Sequence, residues 1–278
     1  MKLKEKLLGN YKIFYKNEKE LDLIYKNIFK LGDYRFFSKR KSPFIQTSRK
    51  PWTFATKLQA LLIPRMEGSS EQTFRRKPRV LNPRLFIIDC GSHIGISILY
   101  FKYLYPNSEI LGFEPDPDNF EILKKNIKAN GLKKVTLINR ALSDTTGRKP
   151  FYTDKYWSWR GSLINSKKNP HKVFVRVDKL SRYINRPVDL VKIDIEGSEE
   201  KVLTDIKDKF KFINNLIIEF HSREYRKVNN FYRIKEILAK AGYKLEFSSG
   251  YNLFNIDNYF WKYVIPFRGG IIKATKTG

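Results

Sequence analysis

Three stretches of the chain hold residue types that can do chemistry in concert. The first is Asp89-Cys90-Gly91-Ser92-His93-Ile94-Gly95, with Glu114 further on. The second is Lys192-Ile193-Asp194-Ile195-Glu196-Gly197, and the third is Glu219 with His221. A glycine-bearing turn from a strand into a helix leaves unpaired backbone N–H groups, a cradle for a polar ligand. An acid at the end of the following strand, here Glu114, can accept hydrogen bonds from two ribose hydroxyls. This spacing predicts a nucleoside-containing cofactor. In a dinucleotide fingerprint a second glycine lets the backbone approach a pyrophosphate, but His93 holds that position. Asp89 would also repel a pyrophosphate and suits a ligand with a cationic end. S-adenosylmethionine (SAM), with an ammonium, a sulfonium and a ribose, fits better than a nicotinamide dinucleotide.

Moving a methyl group from a sulfonium to a hydroxyl is an in-line displacement that also removes a proton. Strand alternation puts Lys192 and Asp194 on one face, with Glu196 opening the next helix. Glu219 and His221 end a second strand, so Asp194, Glu196, Glu219 and His221 are expected on one rim. Two mechanisms stay open. In one, His221 or Asp194 is the general base, His221 having the better-matched pKa. In the other, Asp194, Glu196 and Glu219 or His221 hold a divalent cation, Mg²⁺ or Mn²⁺, that lowers the hydroxyl pKa. Plainer roles compete: Glu196 as a helix N-terminal charge, Lys192 as an ion-pair partner, His221 as a structural hydrogen-bonding group. For the acceptor, Tyr156, Trp157, Trp159 and Arg160 lie close together. Aromatic faces stack on sugars and arginine holds phosphate or carboxylate, although the same cluster would equally cap a sheet edge.

These groups need a frame, and the hydrophobic pattern supplies one. Strands are predicted over residues 85–90, 109–114, 135–139, 190–195, 216–220 and from Tyr243, with a further candidate at 173–177. Helices are predicted over 94–105, 118–130 with Gly131 as cap, 198–210 and 229–241. Strands alternating with helices argue an α/β fold with a doubly wound, Rossmann-like, mostly parallel sheet. Its ligands would sit outside the carboxyl ends of the strands. The tail WKYVIPFRGGIIKATK has two β-like runs around Gly269-Gly270, suggesting a terminal hairpin.

Residues 1–31 place Leu7, Leu8, Tyr11, Phe14, Tyr15, Leu21, Ile24, Tyr25 and Ile28 at helical spacing among lysines. Two short amphipathic helices follow, packed on the main domain as a hairpin; a basic helix on a membrane surface is the competing reading. Residues 32–64 are basic and aromatic without clear periodicity, and 64–84 read as a connector or a mobile lid. The expected division is a basic, mainly helical extension over 1–84 and the main domain over 85–278.

The net charge is +27, and residues 1–84 hold 21 Lys/Arg against 7 Asp/Glu. Such a field favours an acidic membrane surface, an anionic glycan or, less, nucleic acid. A lysine-rich solvated surface alone would produce the same balance. No run approaches 18 apolar residues, so no spanning helix is expected, and MKLKEKLLGNYK lacks the apolar region of a secretory signal. The single cysteine, Cys90, excludes a disulfide framework. A cytoplasmic location is expected, peripheral at a membrane if the basic region engages one.

The segments IDCGSHIGISILYF, ILGFEPDPDNFEILKKNI, VTLINRALSDTTG, VDLVKIDIEGSEEKVL and LIIEFH, in this order over residues 85–221, resemble the FkbM-type SAM-dependent methyltransferases. The resemblance implies the class I methyltransferase fold, a seven-stranded sheet with an antiparallel last strand. It also implies O-methylation of a hydroxyl, often on a sugar in a glycan, glycolipid or natural product. By the same likeness Asp89, Gly91 and Gly95 would face the methionine end of SAM, with Ser92 and His93 completing the loop. Glu114 would face the ribose, and Ala141, Leu142 and Ser143 the adenine. The family more often has a small or apolar residue and then Ala-Asn where this chain has Cys90 and Ser92-His93, which leaves a ligand contact by His93 open. Base-methylating enzymes carry an Asn/Asp-Pro-Pro-Tyr-like quartet where this chain has Asp194-Ile195-Glu196-Gly197. That argues against an RNA base methyltransferase, though not against ribose methylation. A non-catalytic basic binding protein is disfavoured by Asp89, Glu114 and Asp194 standing together.

Overall fold

The computed structural model describes residues 2–31, 34, 84–154, 156–165, 169–221, 228–248, 253–255 and 270–277. The expectations for residues 32–84, Tyr34 and Arg84 apart, and for the first run of the tail lie outside the described residues. In chain order the strands are β1 (Lys4–Leu8), β2 (Tyr11–Tyr15), β3 (Phe86–Cys90), β4 (Glu109–Phe113), β5 (Val135–Ile138), β6 (Ala141–Leu142) and β7 (Gly147–Thr153). They continue with β8 (His171–Asp178), β9 (Leu190–Ile193), β10 (Asn215–Phe220), β11 (Tyr243–Ser248), β12 (Leu253–Asn255) and β13 (Gly270–Lys276). The α-helices are α1 (Glu18–Tyr25), α2 (Ile96–Leu104), α3 (Pro117–Ala129), α4 (Glu199–Asp205) and α5 (Phe231–Lys240).

β3, the all-apolar-or-acid run FIIDC, is buried at every position and lies between β4 and β9, both parallel to it. A strand covered on both faces reads as a continuous apolar run, which is why this one was legible. Outward from it the order is β5, β4, β3, β9, β10, all parallel. β13 then inserts antiparallel between β10 and β11, and the three-residue β12 extends the β11 edge. The result is a seven-stranded, mostly parallel sheet with one antiparallel strand and a short added edge. β13 thus pairs with strands of the central sheet. α3 starts where Asp116 accepts from the N–H groups of Asp118 and Asn119, with Pro117 at the first position, and ends before Gly131 at φ 58°. A separate three-stranded sheet, ordered β6-β8-β7, closes its own small core around Ala141, Phe151, Val175 and Val177. It absorbs the 173–177 strand candidate.

The two helices expected over residues 1–31 are corrected. Residues 4–15 form a β-hairpin whose register pairs Leu8 with Tyr11 around Gly9, at φ 62°, and Asn10. One helix, α1, follows, continued by a π-helical turn over Lys26–Leu31. The Gly-Asn dipeptide between two five-residue runs was the hairpin signal, and the apparent helical spacing concealed it. This N-terminal part is built into the main core: Ile13, Phe14, Tyr15, Leu21, Ile28 and Tyr34 cluster with Leu85, Ile87 and α2.

Two asparagines one helical turn apart on α3 hold the hairpin. Asn126 accepts from Phe14 N (2.7 Å) and donates to Phe14 O (3.1 Å) and Ile94 O (2.8 Å). Asn130 does the same for Lys12, accepting from its N at 2.8 Å and donating to its O at 2.8 Å. Their side-chain amides stand in for a neighbouring strand along β2. Replacing Asn126 with Leu would strand buried backbone groups, costing about 2 kcal/mol or more, or roughly 4–8 °C in Tm. Differential scanning calorimetry checks this; an unchanged Tm would show that the Asn126 bonds do not stabilise the hairpin.

Candidate active site

The β3 and β9 ends meet so closely that the chemistry of one loop is set by the other. Gly91 has φ +82°, and a Cβ there would lie 1.8 Å from the Asp194 carbonyl oxygen. Gly95, at φ +95°, would push a Cβ to 2.7 Å from Leu123 of α3. Only glycine lets the loop turn and touch both neighbours. The Gly91 and Ser92 N–H groups both donate to Phe113 O at the end of β4. Above this junction lies a cavity. Its walls are the 91–93 loop with Ser97 of α2, Glu114 and Asn119, Arg140 to Leu142, Phe151, the Ser158–Trp159 turn, Lys192 with Asp194 to Glu196, and Glu219. Residues Leu23, Ile24, Asn27 and Ile28 and Tyr34 complete it from the N-terminal part.

Several expected residues stand elsewhere. Asp89 is wholly buried beneath the cavity, where Ser97 Oγ donates to it at 2.6 Å. Register places it opposite Lys192, whose Nζ is 3.2 Å from Asp89 Oδ1, so its charge is already met from within the chain. Gly95, Ser143, Tyr156, Trp157, Arg160 and His221 are absent from the cavity wall, whereas Gly91, Ser92, His93, Glu114, Ala141, Leu142 and Trp159 are on it. Tyr156 is exposed, and Trp157, Trp159 and Arg160 form a stack in which Arg160 lies 4.9 Å from the Trp159 ring.

At the β9–β10 end five groups interlock. Lys192 is buried, donates to Gly91 O at 2.6 Å and lies 3.3 Å from Asp194 Oδ2. Burial would strip its proton, but Asp89, Asp194 and Glu219 outweigh burial and raise its pKa. The Tyr34 hydroxyl sits 3.1 Å from Asp194 Oδ2 and 3.0 Å from Glu219 Oε2. A phenol has one hydrogen for two carboxylates, so the second bond requires a protonated acid. Burial works against the Asp194 charge, yet Lys192 and His221 prevail and keep its pKa low. Burial and the Asp194 charge push Glu219 up to about 7. Glu219 therefore carries the proton of the pair.

His221 is enclosed by acids: Glu199 at 2.9 Å, Glu196 at 3.3 Å and Asp194 at 4.0 Å. Despite burial, these charges hold it well above the usual histidine range. As an imidazolium it would have no lone pair for a hydroxyl proton, and it stands off the cavity wall. Glu196 takes φ 51°, and burial raises its carboxyl to about 8. Asp194, Glu219 and His221 do offer atoms within 4.8 Å of one another, as a metal would require. The set fits a cation poorly: Lys192 already neutralises Asp194, Tyr34 bridges the two acids, and His221 is charged. The expected Asp194, Glu196, Glu219 ligand set is not the one brought together.

At the other end Glu114 accepts from His93 N (2.8 Å) and Asp116 N (2.9 Å), and burial raises it to about 8. His93, at φ 49°, turns its Nε2 to Ser158 Oγ at 2.8 Å, and burial lowers its pKa to about 3. Two residues escaped the sequence reading. Tyr34 lies in an aperiodic stretch and left no signal. Glu20 is buried at the i−4 and i−8 positions from Ile24 and Ile28, so an acid on an apolar stripe was its signal.

A five-stranded parallel core with an antiparallel strand inserted beside the last of them, and a cavity at the carboxyl ends, is the class I methyltransferase arrangement. Residues 89–245 match the methyltransferase FkbM domain, and the chain belongs to that family of SAM-dependent methyltransferases. It is similar to Methyltransferase 1 of Beauveria bassiana, 26% identical over 182 residues covering 57% of this chain and 72% of that one. It is also similar to the 2-O-methyltransferase NoeI of Sinorhizobium fredii, 25% identical over 161 residues covering 51% of this chain and 65% of the other. A solved structure, the precorrin-6y C5,15-methyltransferase of Geobacter metallireducens, aligns with TM-score 0.41 and 15% identity over 71% of this chain and 82% of that one. Among the described residues no helix is long and apolar enough to cross a membrane.

The Asp89–Lys192 pair carries its own test. Lys192→Met would leave Asp89 buried without a countercharge and cost about 3–5 kcal/mol of stability. Adding Asp89→Asn should recover most of it. Urea unfolding measures both, and an undiminished stability of the single variant would show that the pair is not coupled.

Proposed function

We propose that this enzyme transfers a methyl group from SAM to a hydroxyl, with a sugar as the acceptor. The observation that carries the reading is one cavity with two ends: Glu114 at one, and Asp194, Glu219 and Lys192 at the other. When bound, SAM supplies a methyl group on a positively charged sulfur. Glu114, fixed by two backbone N–H groups, would offer its remaining lone pairs to ribose hydroxyls. Ala141 and Leu142, on the cavity wall, would hold the adenine. The Asp194 carboxylate, the group on this wall whose charge is favoured, would face the cationic end, whereas Asp89 lies off the wall and beneath Lys192. In the transfer the methyl–sulfur bond would break as the methyl–oxygen bond forms, leaving S-adenosylhomocysteine, and the Asp194–Glu219 pair would take the proton of the acceptor hydroxyl. Lys192 keeps Asp194 ionised for that step.

The similarity to a 2-O-methyltransferase supports oxygen as the methylated atom. Trp159 on the cavity wall supports a sugar, whose C–H face stacks on an indole. The net charge of +27 supports an acceptor that itself carries negative charge.

Calorimetry with SAM and a methyl-transfer assay on glycan acceptors in EDTA-containing buffer test this. Glu114→Ala should weaken SAM binding by about tenfold or more. Asp194→Asn should lower turnover by about 10²–10⁴ and change SAM affinity far less. EDTA should leave the rate unchanged. Wild-type SAM affinity in the first variant would sink the donor pose, and wild-type turnover in the second would sink the proton acceptor. A pH profile gives a further check. A base works deprotonated, and Glu219 sheds its proton near 7, so kcat/KM should climb between about pH 6 and pH 8. A flat profile there would exclude Glu219.

A further inference from the structure

Glu20 is a buried acid in a place that costs stability. It and Leu21 are the two fully buried residues of α1, a helix outside the family-matched region. Among the described residues no lysine or arginine pairs with it; its ionisable neighbour is His93, with Nε2 3.5 Å away. Burial pushes its carboxyl up to about 7, so the site is held against a desolvation penalty. Something must be gained in return.

The gain is a set of directed hydrogen bonds. Oε1 of Glu20 accepts from the Trp159 backbone N–H at 2.9 Å and from the Ser158 hydroxyl at 3.0 Å. Because Ser158 spends its hydrogen on Glu20, its 2.8 Å contact with His93 must have Nε2–H of the imidazole donating. That fixes the tautomer of His93, whose own backbone N–H holds Glu114. One carboxylate oxygen thus connects α1 to the turn bearing Trp159 and, through His93, to the acid facing the nucleoside end. Asn17, which caps α1, adds a second tether by donating to Tyr156 O at 2.7 Å. The same N-terminal segment contributes Leu23, Ile24, Asn27 and Ile28 to the cavity wall.

We propose that Glu20 is a positioning residue for methyl transfer: it latches the N-terminal segment and the Ser158–Trp159 turn together as one wall of the cavity. The inference rests on the reading that this cavity holds donor and acceptor. It makes the segment preceding the family domain part of the enzyme's working site.

Two measurements on the full chain test it. Hydrogen exchange on the ligand-free protein reads the latch without reference to any ligand. Glu20→Ala should lose protection over residues 156–162 and 17–25 while β9 keeps its own. Calorimetry with S-adenosylhomocysteine reads the consequence: about tenfold weaker binding in Glu20→Ala, restored to within about threefold in Glu20→Gln, whose amide oxygen still accepts. Unchanged exchange at 156–162 overturns the latch. Lost protection with unchanged affinity overturns the positioning role, since the contact would then be structural only. Should Glu20→Ala fail to fold, Ser158→Ala cuts the far end of the same latch and must weaken binding in the same direction. Should the wild type bind no S-adenosylhomocysteine, the cavity reading and this role both fall, while the exchange data still decide whether the latch exists.

Discussion

The ammonium of Lys192 is the point at which the sheet and the site become one object. It comes from the middle of the sheet and reaches Asp89, Asp194 and the Gly91 carbonyl. A cation so deeply buried is tolerable only with partners, and its partners are the ends of the strands that carry the candidate chemistry. The contact between Gly91 and the Asp194 carbonyl brings those ends close enough for this to happen. Part of the rim follows from it. Asp194 stays ionised because the ammonium is beside it, Glu219 takes the shared proton because Asp194 is charged, and Tyr34 bridges them.

The N-terminal part is integral to this arrangement. Its hairpin is held by Asn126 and Asn130, its helix brings Glu20 and the apolar residues of the cavity wall, and Tyr34 reaches the acids. The family match covers residues 89–245, so the wall is made from two sources: the shared domain and the segment before it.

Much of the frame was legible before any coordinates. The run FIIDC, the two glycines, Glu114 and the helix stops at Asn130 and Gly131 are local signals, and each stands where its pattern requires. The hairpin over residues 4–15 was misread because Leu7, Leu8, Tyr11, Phe14 and Tyr15 satisfy helical spacing as well as a strand pair. Only the Gly9-Asn10 turn separates the two. The pairing of Asp89 was not legible for a different reason: its charge looked free for a ligand because its partner is 103 positions away and meets it through strand register. Glu20 and Ser158 are 138 positions apart and escaped for the same reason.

What the sequence by itself determined is the order of the strands and helices from residue 85 that build the parallel part of the sheet, the glycine turn and the set of ionisable residues at the strand ends. These depend on periodicity and backbone freedom, which act over a few residues. The tertiary structure alone decided which groups are charged, which face the cavity and which are spent on one another. Protonation depends on desolvation and on charges arriving through space, and these exist only once distant segments have packed together.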